Sequence, residues 1–140
     1  MIIRPVLICY VMLFVVQASF AQAETKTYRI DTLLQKCMEK DGTTVGMISC
    51  LQKAENDWDK ELNKYYKLLL NGLDTADQKN LKESQRQWII YRDKEINFFS
   101  TLFSKKDGTV WDLTIADNRM QIIRKRAIEL LEYYETITQH

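Results

Sequence analysis

The sequence predicts an all-α protein: an antiparallel bundle of three long helices plus a short N-terminal helix tethered by a disulfide. Three observations predict it. Proline occurs once, at Pro5, and glycine only at Gly42, Gly46, Gly72 and Gly108, so long stretches carry no helix breaker. Apolar residues recur at alternating steps of three and four, the spacing of one helical face. Two cysteines, Cys37 and Cys50, remain once Cys9 is assigned to a leader segment.

That leader is residues 1–23. Arg4 supplies a positive charge, Val6 to Val16 an apolar run, and Ala21-Gln22-Ala23 the small residues a signal peptidase reads. The run is roughly 11 residues, against the ~20 that span a bilayer. Cleavage is expected near Ala23, with Ala21 as the weaker alternative, followed by one domain over residues 24–140 in the periplasm or outside the cell. A lipid-modified cysteine would follow small residues and a longer apolar run. Val6-Leu7-Ile8-Cys9 offers neither, so no membrane anchor is expected after cleavage.

Without the leader, 117 of the 140 residues remain, a size that fits one core. Arg4 is the leader's sole charge, so 19 basic residues face 19 acidic ones. That balance argues against nucleic acid and against an anionic membrane surface as main partners. An even cysteine count in an oxidising compartment reads as one intramolecular disulfide. A metal site would need more ligands, and the one histidine is His140 at the terminus. A redox pair would favour closer Cys-x-x-Cys spacing. No cofactor or metal is expected.

The cysteines also report shape. On one straight helix they would lie about 20 Å apart at 1.5 Å per residue, whereas a disulfide needs Cα atoms within roughly 7 Å. The chain must therefore reverse, and Asp41-Gly42-Thr43-Thr44 is a ready turn. A first helix is expected from Asp31, as N-cap, to Lys40. The second should run from Val45 to Asn71. Its apolar positions, Met47, Leu51, Ala54, Trp58, Leu62, Tyr65 and Leu69, form one face, and Gly72 is a natural residue just past its end. The third opens with Thr75 as N-cap and Gln78 reaching back. It carries Leu81, Trp88, Ile89, Ile96, Phe99 and Phe103, and ends near Lys105; Ser84, Gln85 and Arg92 interrupt its stripe. The fourth begins near Thr109, with Asp112 as an imperfect capping partner. It keeps a stripe through Leu113, Ala116, Met120, Ile123, Ala127, Leu130, Tyr134 and Ile137. Short connections make neighbours antiparallel.

Little here points to catalysis. No usable histidine or free cysteine is left to activate a nucleophile, and no glycine-rich phosphate loop exists. Glu55, Asp57, Asp59 and Glu61 fall on several helix faces among Lys53, Lys60 and Lys64, a solvated pattern of opposite-charge neighbours. Arg119, Arg124, Lys125 and Arg126 likewise read as solvent-facing. A more informative set lies on the second and third helices. Gln85, Trp88 and Arg92 share one face; Asp59, Asn63 and Tyr66 form a matching row before it. An arginine on an inward face needs partners, because a buried unpaired charge is costly. The two rows are expected to hydrogen-bond across the hairpin and fix its register, with a ligand or partner site on the same residues as the other reading.

These residues also carry a resemblance. Asp59-x-x-Leu62-Asn63-x-x-Tyr66-x-x-Leu69, followed by Leu81-x-x-x-Gln85-x-x-Trp88-x-x-Tyr91-Arg92-Asp93, resembles the LprI family of small secreted or periplasmic bacterial domains. The family is named after a lipoprotein that inhibits lysozyme. The resemblance runs from about Cys37 to Leu130, and Arg126 with Leu130 resembles its closing Arg-x-x-x-Leu element. Many members carry a further cysteine pair; here Lys94-Glu95-Ile96-Asn97 and Ala116-Asp117-Asn118 stand in those regions.

The resemblance implies a non-enzymatic binding protein similar to lysozyme inhibitors, with a protein partner such as lysozyme. The oligomeric state is left open. An inhibitor would offer basic or hydroxyl groups to the two carboxylates of the glycosidase cleft. Ser104-Lys105-Lys106-Asp107-Gly108-Thr109 suits this best, with Lys105, Lys106 and Asp107 as contact residues, and Lys40 to Thr44 second. The other expectation is an envelope interaction or assembly module. Trp111, Phe98, Leu131 and Tyr133, off the main stripes, would mark its contact.

Overall fold

A computed structural model describes residues 27–139; the leader assigned to residues 1–23 lies outside them. Four helices follow in order: α1 (Arg29–Lys40), α2 (Thr44–Gly72), α3 (Thr75–Phe103) and α4 (Val110–Thr138). No strand occurs among the described residues.

The core is a seam between α2 and α4. Leu51, Ala54, Trp58, Leu62 and Leu69 meet Ala116, Met120, Ile123, Ala127 and Leu130. All ten belong to the two stripes of the sequence, and Leu51, Met120 and Leu130 are fully enclosed. Each such side chain contributes roughly 1.5–3 kcal/mol of transfer free energy. The pairs along the seam climb both helices together: Glu55 with Arg119, Tyr65 with Tyr134, Gly72 with Ile137. These two helices therefore run in the same direction. The returning α3 lies against α4 in the opposite sense, with Gln85 at Arg126 and Phe103 at Trp111.

Of the residues in α3, Gln85 and Phe99 are buried; Leu81 and Trp88 are half-buried against the core and Ile89 is exposed. Its stripe is thus shallower than its spacing suggests, because α2 spends its apolar face on α4. The caps differ as well. Asp74, not Thr75, caps α3, accepting from Asp77 N at 2.9 Å, and Gln78 Nε2 donates to Leu73 O at 3.0 Å. The Asp74 carboxylate, one residue earlier, reaches the free N–H of Asp77 directly. The helix stops at Phe103, and the positive φ of 102° at Gly108 turns the chain toward α4.

The first helix has no fully buried residue; it lays Ile30, Leu34 and Met38 half-buried against the core and is fastened at both ends. Cys37 and Cys50 form the disulfide, with Cα atoms 5.8 Å apart. Asp31 is not the N-cap; Tyr28 occupies that position without a side-chain capping bond. Asp31 sits in the first turn, and both its oxygens accept from Arg124, from Nε at 2.9 Å and Nη2 at 2.6 Å. Tyr28 places its ring edge-on to Trp58, with centroids 5.4 Å apart. At the reversal, Asp41 Oδ1 accepts from Thr43 N and Oγ1, which holds its carboxyl below the usual carboxylate range. Thr43 Oγ1 in turn accepts from Gly46 N at 3.0 Å and caps α2. The Asp41 carboxylate lies so close over Gly46 that a Cβ there would collide with it.

Candidate functional site

Because α2 and α3 touch sparingly, an open groove of about 510 Å³ runs between them, with α4 as its floor. From α2 come Glu55, Asn56 and Asp59; from α3 Arg92, Asp93 and Asn97. Arg119 and Ile123 of α4 lie beneath. Asp59, Arg92 and Asp93, three residues of the sequence motif, thus share one cavity.

The expected bonds between the two polar rows are not formed: among the described residues, no hydrogen bond joins α2 to α3. Each row is satisfied otherwise. Asn63 Nδ2 donates to Asp59 O at 2.8 Å and Asp59 Oδ2 at 3.0 Å, one turn back on its own helix. Arg92 donates from Nε and Nη2 to Oδ1 of neighbouring Asp93, at 2.8 and 2.7 Å. Tyr66 is half-buried against the core, and Tyr91 points away from it, 53% exposed. The physical reason is the α2–α4 seam, which takes up the inward face of α2 and leaves a groove rather than a packed contact toward α3.

Gln85 turns to α4 instead. It is 7% exposed and accepts from Arg126 Nε at 3.0 Å; Arg126, 5% exposed, also donates to Glu129 at 2.7 Å and Ser84 at 3.3 Å. Trp88 lies between two guanidiniums, with Arg92 5.4 Å and Arg126 5.9 Å from its ring centroid. The basic cluster of α4 is therefore divided: Arg119 and Lys125 are exposed as expected, and the other two are not. Arg126 is buried, and Arg124 is half-buried over Trp58 and Tyr28, its fork spent on Asp31, a clamp that holds it protonated still more firmly. A signal for Arg126 was present in the sequence: it stands three residues after Ile123 and four before Leu130, on the edge of the buried face. The polar interruption of α3 at Ser84 and Gln85 is its complement.

The Ser104–Thr109 connection carries Lys105, Lys106 and Asp107 in the open. It is braced from below: the Phe103 and Trp111 rings stack at 5.4 Å and 11°, and Lys106 Nζ lies 5.2 Å from the Trp111 centroid. Trp111 is thereby half-buried rather than free. Leu131 lines a second groove of about 500 Å³ beneath α1, together with Tyr28, Trp58 and Tyr65. Phe98 and Tyr133 remain exposed. No group of three or more His, Cys, Asp or Glu positioned to hold a metal occurs among the described residues.

Fold and grooves together define a small helical domain, stapled by one disulfide, whose charged residues in part serve packing. The chain belongs to the lysozyme inhibitor LprI family, which its residues 36–130 match. It is also similar to the crystal structure of an uncharacterised protein from Burkholderia thailandensis. The likeness has 26% identity and a TM-score of 0.76, over 82% of this chain and 58% of that one. This chain thus spans little more than half of that relative's length. No curated protein matches it.

Proposed function

We propose that this protein is a non-enzymatic binding domain, exported by the leader at residues 1–23, that occludes the cleft of a lysozyme-type glycosidase and so protects peptidoglycan. The observation that carries this reading is membership of the lysozyme inhibitor LprI family. The element in contact is the Ser104–Thr109 connection. A glycosidase cleft holds two carboxylates, and Lys105 and Lys106 supply charge-assisted donors to them. The Phe103–Trp111 stack and the Lys106 contact with Trp111 support the loop before binding, which lowers the ordering cost. The near-neutral charge of the processed chain gives little long-range steering, so association depends on this local fit.

A cell-wall lysis assay tests it. The protein should slow lysis at near-stoichiometric amounts, and the double substitution Lys105→Ala with Lys106→Ala should weaken protection by about tenfold or more, the equivalent of one strong contact. Absence of protection at a large molar excess overturns the reading.

A second reading, an envelope interaction module, is favoured by one feature of α3. Tyr91, Phe98 and Leu102 follow one strip of its outer surface and are 53, 61 and 45% exposed. Co-purification of a periplasmic partner that Phe98→Ser abolishes, with no effect on lysis, would favour it over inhibition.

A further inference from the structure

We propose that the groove between α2, α3 and α4 binds a short peptide with free amino and carboxylate ends, its ammonium at Asp59 and its carboxylate at Arg119 and Arg92. Four arginines of the fold differ in how fully their donors are used. Arg124 places its fork on both oxygens of Asp31, and Arg126 is tied to Gln85, Glu129 and Ser84. Both serve packing and have little left to offer. The groove arginines are used far less. Arg119 makes a single bond, Nη2 to Glu55 Oε1, at 3.2 Å. Arg92 lies against Trp88 and directs Nε and Nη2 onto one oxygen of Asp93, so that its Nη1 donors have no hydrogen-bond partner among the described residues. A guanidinium carries five donors in a fixed fork, so each retains the edge that a carboxylate takes bidentately.

Asp59 supplies the opposite pole. Its carboxylate accepts from the Asn63 amide at 3.0 Å, and no cation lies within salt-bridge distance of it among the described residues. Glu55 and Asp93, the other groove carboxylates, each hold an arginine. One carboxylate without a cation, two guanidiniums with spare donors, and the amides of Asn56 and Asn97 around an Ile96–Ile123 floor make a zwitterion-shaped set. The volume of about 510 Å³ suits a few residues rather than a folded partner. This site is separate from the Ser104–Thr109 loop and stands whether or not that loop engages a glycosidase. Two sources supply such ligands outside the cytoplasm: soluble oligopeptides and peptide stems released from the cell wall.

Titration of the processed protein with trialanine, followed by two-dimensional NMR and calorimetry, tests the proposal. Shift changes should concentrate in residues 55–59, 92–100 and 119–123. N-acetyl-trialanine and trialanine amide should each bind about tenfold more weakly, the loss of one charge-assisted contact. Asp59→Asn should erase the preference for the free amine, and Arg119→Gln the preference for the free carboxylate. Both positions lie at the surface of the groove, and unchanged thermal unfolding would establish that each variant is folded. A wall-derived stem tripeptide binding more tightly than trialanine identifies the wall as the source, and equal binding identifies soluble peptides. Absence of shift changes with both peptides, or capped peptides binding as well as free ones, overturns the proposal. The same variants in the lysis assay separate this site from inhibition, which they should leave intact.

Discussion

Arg126 of α4 donates its Nε hydrogen to Gln85 Oε1 of α3 at 3.0 Å, and both side chains are buried. This bond sets the register between two helices that share little apolar surface. Arg126→Met keeps most of the side-chain volume but leaves the Gln85 oxygen without its donor. An unsatisfied buried acceptor costs about 1–3 kcal/mol. Urea unfolding should show that loss for Arg126→Met, and a smaller one for the double variant Arg126→Met with Gln85→Leu, where the buried Gln85 acceptor is gone as well.

The same guanidinium reaches Glu129, whose behaviour toward acid follows. Burial pushes the Glu129 carboxyl up, but hydrogen bonds from Tyr133 Oη and Arg126 Nη1, each 2.7 Å, outweigh it and hold it below the usual carboxylate range. A carboxyl lowered on folding contributes stability above its ordinary value of 4.5 and loses it as pH falls through the lowered one. Stability measured from pH 6 downward should therefore fall less steeply in Glu129→Gln than in the parent.

Detachment of α1 can be read through Trp58. No residue of the helix is fully buried; Ile30, Leu34 and Met38 pack half-buried against the core, and the disulfide, the Asp31–Arg124 clamp and the Tyr28–Trp58 contact add to that hold. Cys37→Ser with Cys50→Ser should cost about 3 kcal/mol, the chain-entropy value for a loop of this size. Tryptophan fluorescence should shift to the red as Tyr28 leaves. Asp31→Asn in that background should enlarge the shift.

Truncations separate the seam from the outer surface. Met120→Ala and Leu130→Ala, at fully enclosed positions, should each cost about 2–5 kcal/mol. Leu102→Ala and Val45→Ala remove exposed side chains and should stay within about 0.5 kcal/mol of the parent. Thermal or denaturant unfolding measures all four.

The candidate site was legible in part. Asp59, Arg92 and Asp93 stood out as polar residues on apolar-patterned helices, and they do line one groove. Their expected mutual bonds rested on a close α2–α3 hairpin. Asn63 and Asp59 instead satisfy each other at i and i+4, a contact any helix offers without a partner. Arg119 carried no signal at all: in sequence it is one of four basic residues on an amphipathic helix, and its place under the groove depends on how α4 lies beneath the other two.

From its residues alone the chain determined four helices, the Cys37–Cys50 link and the two stripes that became the core. Each of these depends on local geometry: 3.6 residues per turn, a turn at Asp41–Thr44, and a crosslink across it. The tertiary structure decided which stripe meets which. Side-chain periodicity marks a face but not its partner, and the deeper α2 and α4 faces packed together although α3 lies between them in sequence. That choice buried Arg126, left α3 shallow and opened the groove.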